Sequence, residues 1–384
     1  MSRRFLAGAL VAAMGTSGLV PAQSPVPQAE QFDVATLGPS SPHRLYTSSP
    51  GYGSGDFAIL NGDTLAVEGS IPGAHGVLAL DPAGRSFYVC ESIWSLGNRG
   101  KRQDMVSVYD ARTLNLTGEI AIPGRLLVGT RTHNCDISAG GKFVYVYNMQ
   151  PASSVIVVDL SQKRVASVIE IPGCAGAFPW RDDGFASLCG DGTLATSSLS
   201  AQGQPGKLAH SARFFDADND PIFEESVVDR DSGHAYFISY TGLIYPAQLG
   251  AEPSIEPPWS LQEAAGLPRA GTGVQELAWR PGGIRMLAWH KGTNRLYALM
   301  HVGAHWSQRV PATELWVVDA TAHKVLKRLA LPEPMNGVAI SQDATPLLYA
   351  VARSGTIYTL DPDTGQQKVR GQGRAGSVVW VPGF

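Results

Sequence analysis

Residues 155–173 read V-I-V-V-D-L-S-Q-K-R-V-A-S-V-I-E-I-P-G. A β-branched run ends on Asp159, a few polar residues follow, a second apolar run comes next, and Pro172-Gly173 closes the stretch. Runs rich in Val and Ile and bounded by Asp, Pro and Gly read as two strands joined by a turn. The order recurs: residues 106–124 read V-S-V-Y-D-A-R-T-L-N-L-T-G-E-I-A-I-P-G, and residues 315–332 read L-W-V-V-D-A-T-A-H-K-V-L-K-R-L-A-L-P. Aligned on the residue after each run, Asn61, Asp110 and Asp159 stand 49 residues apart, and Asp319 and Asp361 mark later copies. Two degenerate copies near Leu199 and Leu249 bring the count to seven units.

A well-formed copy holds four strand-like runs: His133–Ser138, Lys142–Asn148, Val155–Leu160 and Val165–Ile171, with Gly140-Gly141 turning the first into the second. Four strands per unit at a period in the forties is the pattern of a propeller blade, and the unit is too short for a β-sandwich. The expected fold is therefore all-β: a seven-bladed β-propeller of four-stranded blades over residues 41–384, with an insertion at 257–285 that carries one short helix around Leu261–Ala265. The repeated Asp heads the outermost strand of its unit, where a carboxylate accepts turn hydrogen bonds. None of these aspartates is a candidate catalytic acid.

Composition fits many short strands and tight turns. Charged residues are 16%, against 43 glycines and 26 prolines. The formal net charge of −3 gives no general attraction to nucleic acid or anionic membrane. Residues 1–22 have the form of a secretory signal peptide: Arg3 and Arg4, then an apolar stretch from Phe5 to Val20, then small residues at Val20-Pro21-Ala22. Ser2-Arg3-Arg4-Phe5-Leu6 leaves the general and twin-arginine export routes both open. Residues 23–40 read as a flexible N-terminal segment, and the expected compartment is the periplasm.

An exported chain with four cysteines is expected to oxidise them. Cys174 and Cys189 flank an apolar, turn-containing segment and suit a hairpin disulfide. Closing a loop of that size contributes about 3 kcal/mol in the chain-entropy account. Cys90 and Cys135 approach one face on adjacent blades, which allows a second disulfide without requiring one.

No nucleophile elbow, H-E-x-x-H, P-loop or strand-borne dinucleotide fingerprint is present. His301 and His305 lie four apart, but Gly303 between them favours a loop over a metal-ligating helix. Asp218 and Asp220 resemble part of a calcium loop without its terminal Glu and read as a solvated turn. Blade topology places Pro72–Gly76, Glu91–Asp104, Pro123–His133 and Pro172–Trp180 on one face. That face gathers His75, Trp94, Arg99, Lys101, Arg102, Arg125, Arg131 and His133. It is either a solvated rim or a docking surface for an acidic or polar partner.

Several motifs in order resemble one family. R-G-K-R-Q-D-M-V-S-V-Y-D (99–110), G-G-K-F-V-Y-V-Y-N-M-Q-P-A-S-S-V-I-V-V-D (140–159), the pair Cys174 and Cys189-Gly190-Asp191-Gly192, D-P-I-F (220–223) and R-P-G-G with W-H-K (280–291) are similar to quinoprotein amine dehydrogenase heavy chains. P-P-W-S-L (257–261), A-L-M-H (298–301) and P-A-T-E-L-W-V-V-D (311–319) bring the chain nearer the aromatic amine dehydrogenase heavy chain than the methylamine one. The resemblance implies a periplasmic α2β2 enzyme. Its light chain carries tryptophan tryptophylquinone and the catalytic base, and a cupredoxin of the azurin or amicyanin type takes the electrons. No cofactor, catalytic residue or metal is then expected in this chain. Family heavy chains contribute a channel-lining Phe from the loop matching Ile71-Pro72-Gly73-Ala74-His75-Gly76, and here the matching position is His75, with Ala74 beside it. Trp94, Arg99, Lys101 and Arg102 are the expected partner interface. The competing readings are a stand-alone propeller that binds a ligand or partner, and a propeller lactonase with an acid/base or metal site of its own.

Overall fold

The computed structural model describes residues 36–48, 56–73, 75–97, 99–127, 131–372, 376 and 378–383. The expected signal peptide at 1–22 and the position of Ala74 lie outside them, as does most of the N-terminal segment. Among the described residues the strands form six hydrogen-bonded sheets: four of four strands, one of five and one of eight.

The repeat emerges as its spacing implies. Cys135–Ile137, Phe143–Asn148, Ser154–Asp159 and Arg164–Glu170 make one antiparallel sheet in sequence order. Every residue of its two middle strands is buried, whereas all but one residue of the outermost strand is at least partly exposed. Continuous apolar runs are what a strand covered on both faces requires. Burying a side chain such as Phe143 or Ile156 removes it from water for about 1.5–3 kcal/mol each. Neighbouring sheets share their cores: Tyr46, Phe57, Val89, Val106, Ile137 and Val146 belong to one buried cluster.

The expected seven separate blades are corrected to five. The chain from Ala278 to Gln372 instead forms one continuous eight-stranded sheet. Its spine is the 17-residue strand Lys324–Ile340, whose first part pairs with Ala312–Asp319 and whose second part pairs with Leu348–Ala352. The cause is local. Earlier units end in Ile-Pro-Gly, at 71–73, 122–124 and 171–173, and glycine lets the chain break away from the sheet. The corresponding stretch Leu331-Pro332-Glu333-Pro334 has no glycine, and its prolines hold the preceding residues extended. The strand therefore runs on.

The insertion at 257–285 holds Trp259–Ser260, the short helix Leu261–Ala264 and the strand Ala278–Pro281. Ser260 caps the helix, its side chain accepting from the Glu263 amide. Trp259–Ser260 adds to Leu243–Gln248, which gives that sheet its fifth strand. Arg280 is buried and donates to the carbonyls of Gly303 and Gly271, fastening the insertion to the blade.

The repeated Asp is a turn residue in every clear copy. Asp110, Asp159, Asp319 and Asp361, and Asn61 in the first unit, each accept hydrogen bonds from residues two and three positions on. The residue four positions on takes a left-handed backbone in all five: Leu65, Leu114, Lys163, His323 and Gly365.

The ring closes where Val379–Trp380 pairs with Arg44–Ser48, placing a C-terminal strand innermost in the first sheet. His43 stands at this seam, with Nδ1 2.8 Å from Asp63 and Nε2 3.2 Å from Asp343. Burial alone would lower the imidazole pKa, but the two carboxylates raise it above 6.5. The Asp343 carboxyl is held down at about 2: burial opposes this, and hydrogen bonds from Ser341 and Thr345 win. The His43 contribution to stability is full below pH 6.5 and lost as pH rises through the raised folded value. The Asp343 contribution is full above pH 3.8 and lost as pH falls toward 2. His43→Gln should therefore cost less than about 1 kcal/mol per pair near pH 6. It should also flatten the decline in melting temperature from pH 6.5 to 8. A wild-type and variant decline of equal slope would contradict this role.

Candidate functional site on one rim of the propeller

The innermost strand Val77–Leu80 runs from the His75 loop to the Asp81 turn. Loops that link successive blades and the repeated Asp turns therefore lie at opposite ends of the sheets. The residues singled out in the sequence belong to the first end.

The segment 91–104, expected as a connecting loop, is instead a regular hairpin. Ser86–Leu96 and Arg99–Asp110 stay paired far beyond the sheet body, through Glu91↔Met105, Ser92↔Asp104 and Trp94↔Arg102. The chain reverses at Gly97, whose φ is +72°. Glu91 and Ser92, adjacent in the strand and so on opposite faces, are both buried at the base of this arm, while its tip is exposed.

The hairpin brings three of the sequence candidates together. The His75 and Trp94 rings meet edge to face with centroids 5.1 Å apart. Arg102 lies 5.9 Å from the Trp94 centroid. Its Nε donates to Asp104 at 2.8 Å and its Nη2 to the Arg125 carbonyl at 2.7 Å. Arg125 Nη1 in turn donates to Ser92 Oγ at 3.0 Å, and Ser92 also bonds Asp104. His75 takes φ +51°, a left-handed conformation that costs a non-glycine residue about 1–2 kcal/mol. Arg99 and Lys101 stand apart from this group, exposed at the hairpin tip.

Two members of the expected basic face are not on a solvated rim. Arg125 is buried in the network above. His133 is buried too, with Nδ1 3.0 Å from Asp136 and Nε2 3.1 Å from the Ser226 carbonyl, against Phe178. Arg131 is paired with Glu224. The sequence showed cations, but tertiary neighbours decide which of them face water.

What the rim does expose is apolar. Among the described residues twelve large hydrophobic side chains are exposed, and eight belong to this end: Ile93, Leu96, Met149, Val274, Leu277, Val302, Trp306 and Val310. The other four, Val67, Leu116, Val168 and Leu326, sit on outermost strands, Val67 and Leu116 at the first residue beyond the Asn61 and Asp110 turns. Leu277 reaches the rim because the next residue, Ala278, pairs with Gly303. Trp306 is half exposed, has a left-handed backbone and contacts His305 and Tyr240. An apolar concentration on one end of a polar molecule marks an association surface.

Other candidates resolve structurally. His301 lies in Arg295–Gly303 with Nε2 2.8 Å from Ser307 Oγ, and burial, then nearby Arg280, lowers its pKa. His305 lies in the turn beyond. Among the described residues no group of three His, Cys, Asp or Glu could hold a metal. Asp220 is not a solvated turn residue: it is buried and accepts from the Thr241 amide at 2.7 Å and hydroxyl at 2.6 Å. The Cys174 and Cys189 sulfurs are bonded across directly paired positions, and a second disulfide joins Cys90 to Cys135 between neighbouring sheets.

The propeller axis is plugged. Thr132, His133, Asp136, Glu225, Arg230 and Arg285 surround a space of about 30 Å3, room for roughly one water. Arg285 is fully enclosed and donates to the Val379 carbonyl; burial lowers its pKa, and Glu225 and Asp136 counter this. A larger cavity of about 390 Å3 opens at the opposite end, walled by Arg44, Tyr46, Asp81 and Arg230. Its charges are already engaged: Arg44 with Glu68 and the Gly38 carbonyl, Asp81 with its own turn amides and Arg85. No helix among the described residues is long and apolar enough to cross a membrane.

Comparison with known proteins bears on this rim. Residues 43–381 match the family model for the methylamine dehydrogenase heavy chain. The chain is 29% identical over 348 residues to the methylamine dehydrogenase heavy chain of Methylobacillus flagellatus, covering 88% of this chain and 85% of that one. It is 30% identical over 306 residues to that of Methylophilus methylotrophus, covering 78% and 72%. Among solved structures, Kuenenia stuttgartiensis hydrazine synthase aligns with a TM-score of 0.55 at 15% identity, covering 84% of this chain and 94% of that one. The dihydro-heme d1 dehydrogenase NirN aligns at 0.54 and 15%, covering 91% and 77%. Those two likenesses speak to the fold alone. The motifs, the hairpin-bearing rim and the match over nearly the whole propeller together make this chain a member of the methylamine dehydrogenase heavy chain family.

Proposed function

We propose that this chain is the heavy subunit of a periplasmic amine dehydrogenase, assembled as an α2β2 heterotetramer with a tryptophan tryptophylquinone light chain. The apolar rim is the observation that carries this reading: the light chain docks there, over Trp306, Leu277 and the 86–110 hairpin. The quinone, when present in that chain, takes two electrons from a primary amine, which leaves with water as aldehyde and ammonia. A cupredoxin of the azurin or amicyanin type receives the electrons.

The heavy chain's own residues then shape one wall of the channel. By motif, Ala74 and His75 match the channel loop of family heavy chains, and Trp94 packs against His75. Exposed Arg99 and Lys101 and the paired Arg102 border the interface. Aromatic amines are the proposed substrates, supported by the P-P-W-S-L and A-L-M-H motifs and by the two rings at 75 and 94. The relatives named above carry the methylamine name, so methylamine is the competing substrate in any test.

Purification from the native host tests the reading. The expected result is co-elution with a small chain that shows quinone absorbance and reduces dye when an amine is added. A clean monomer with neither property would exclude it and leave a stand-alone binding propeller.

A further inference from the structure

We infer that Trp94 is a specificity-determining residue of the amine channel, its indole held by Arg102 as the wall that receives the substrate's hydrocarbon group. The inference rests on the heavy-chain reading above and goes beyond His75, the position that the family motif marks.

Two observations carry it. The first is placement: Trp94 is half-buried and its ring meets His75 at 5.1 Å, so any group lined by His75 also meets the indole. The second is fixation. A chain of contacts runs from buried Ser92 and Arg125, through Asp104, to the Arg102 guanidinium 5.9 Å from the Trp94 centroid. Arg102 is locked at two nitrogens, and a planar guanidinium fork suits such a double anchor as an ammonium does not. The indole cannot tip outward without losing this partner. An apolar ring attracts the hydrocarbon end of a primary amine, so the substrate enters with its carbon chain toward Trp94. Arg102 is a positioning residue, because it acts through the indole.

The test uses the complete heavy chain–light chain complex and a series running from methylamine through butylamine to benzylamine and 2-phenylethylamine. Trp94→Ala should raise KM for benzylamine on the order of tenfold and KM for methylamine by less than about twofold, with kcat unchanged for both. Trp94→Phe should fall between. Arg102→Gln should act in the same direction with a smaller change, and Arg102→Lys should not rescue it. A second readout is independent of turnover. In 5-fluorotryptophan-labelled protein, the Trp94 fluorine resonance, assigned with Trp94→Phe, should shift on adding benzylamine and stay in place with methylamine. Arg102→Gln should move that resonance without any amine. Equal KM changes across the series, or a resonance that ignores benzylamine, would overturn the inference alone. So would a wild-type complex that oxidises methylamine and no larger amine. A wild-type complex that oxidises no amine overturns the heavy-chain reading, and the inference with it.

Discussion

Replacing Cys90 and Cys135 together with alanine is expected to cost about 4 kcal/mol of unfolding free energy, from the loop entropy of a link spanning this separation. The two cysteines are 45 residues apart and fully buried, in neighbouring sheets. The bond therefore joins two sheets that share a core but no hydrogen-bond ladder. By contrast the Cys174–Cys189 bond lies between adjacent strands already held by direct pairing, with a separation of 15 residues. Its loss should cost less, about 3 kcal/mol at most. A further consequence reaches the rim. Cys90 is followed by Glu91 and Ser92, which anchor the long hairpin through Ser107 and Arg125. Loosening that corner should speed amide exchange along Ser86–Leu96 before the rest of the sheet responds. Denaturant midpoints of the two cysteine double variants, with exchange rates for the hairpin, check both statements. A larger loss from the Cys174 and Cys189 pair would contradict the account.

Trp306→Glu and Leu277→Glu should each weaken association with the light chain on the order of a hundredfold, since buried aromatic and apolar anchors dominate interface energetics. Both side chains are exposed in the isolated chain, Trp306 at 50% and Leu277 at 72%, so a carboxylate there stays hydrated and folding is spared. In the complex the same carboxylate would lose its water against an apolar surface with no cation supplied for it. Val168→Glu, at a position about as exposed as Trp306 on the outermost strand Arg164–Glu170, is the control and should leave association within about twofold. Melting temperatures within a degree or two of wild type, combined with the loss of co-elution in only the two rim variants, would match the account. Equal weakening by Val168→Glu would mean that general surface charge, not this rim, governs binding.

Much of the fold was legible because the repeat states it. The runs around Phe143–Asn148 and Ser154–Asp159 are continuous and apolar, and the Asp at each turn occupies the same register in the structure. The fused sheet was less visible, since it depends on the missing glycine after Pro332. A reading that weighed Ile-Pro-Gly against Leu-Pro-Glu would have foreseen the unbroken strand. At the rim, the sequence identified His75, Trp94 and Arg102 but not their contact, because a hairpin register has to bring positions 75 and 94 together. Neither E-S-I-W-S-L nor K-R-Q-D-M-V alternates polar with apolar, so no two-residue period marked that hairpin. Burial of Arg125 and His133 had no local signature. Each is enclosed by partners from elsewhere in the chain: Ser92 for Arg125, Ser226 and Phe178 for His133.

Hydrogen exchange of the heavy chain, alone and in its purified complex with the light chain, tests the docking rim most directly. The account predicts slowed exchange in the hairpin 86–110, in 302–310 and in 274–278, with no change in the Asp turns at 81–85, 159–163 and 361–365. Protection centred on those turns, or on the cavity walled by Arg44 and Arg230, would place the partner on the opposite end and contradict it.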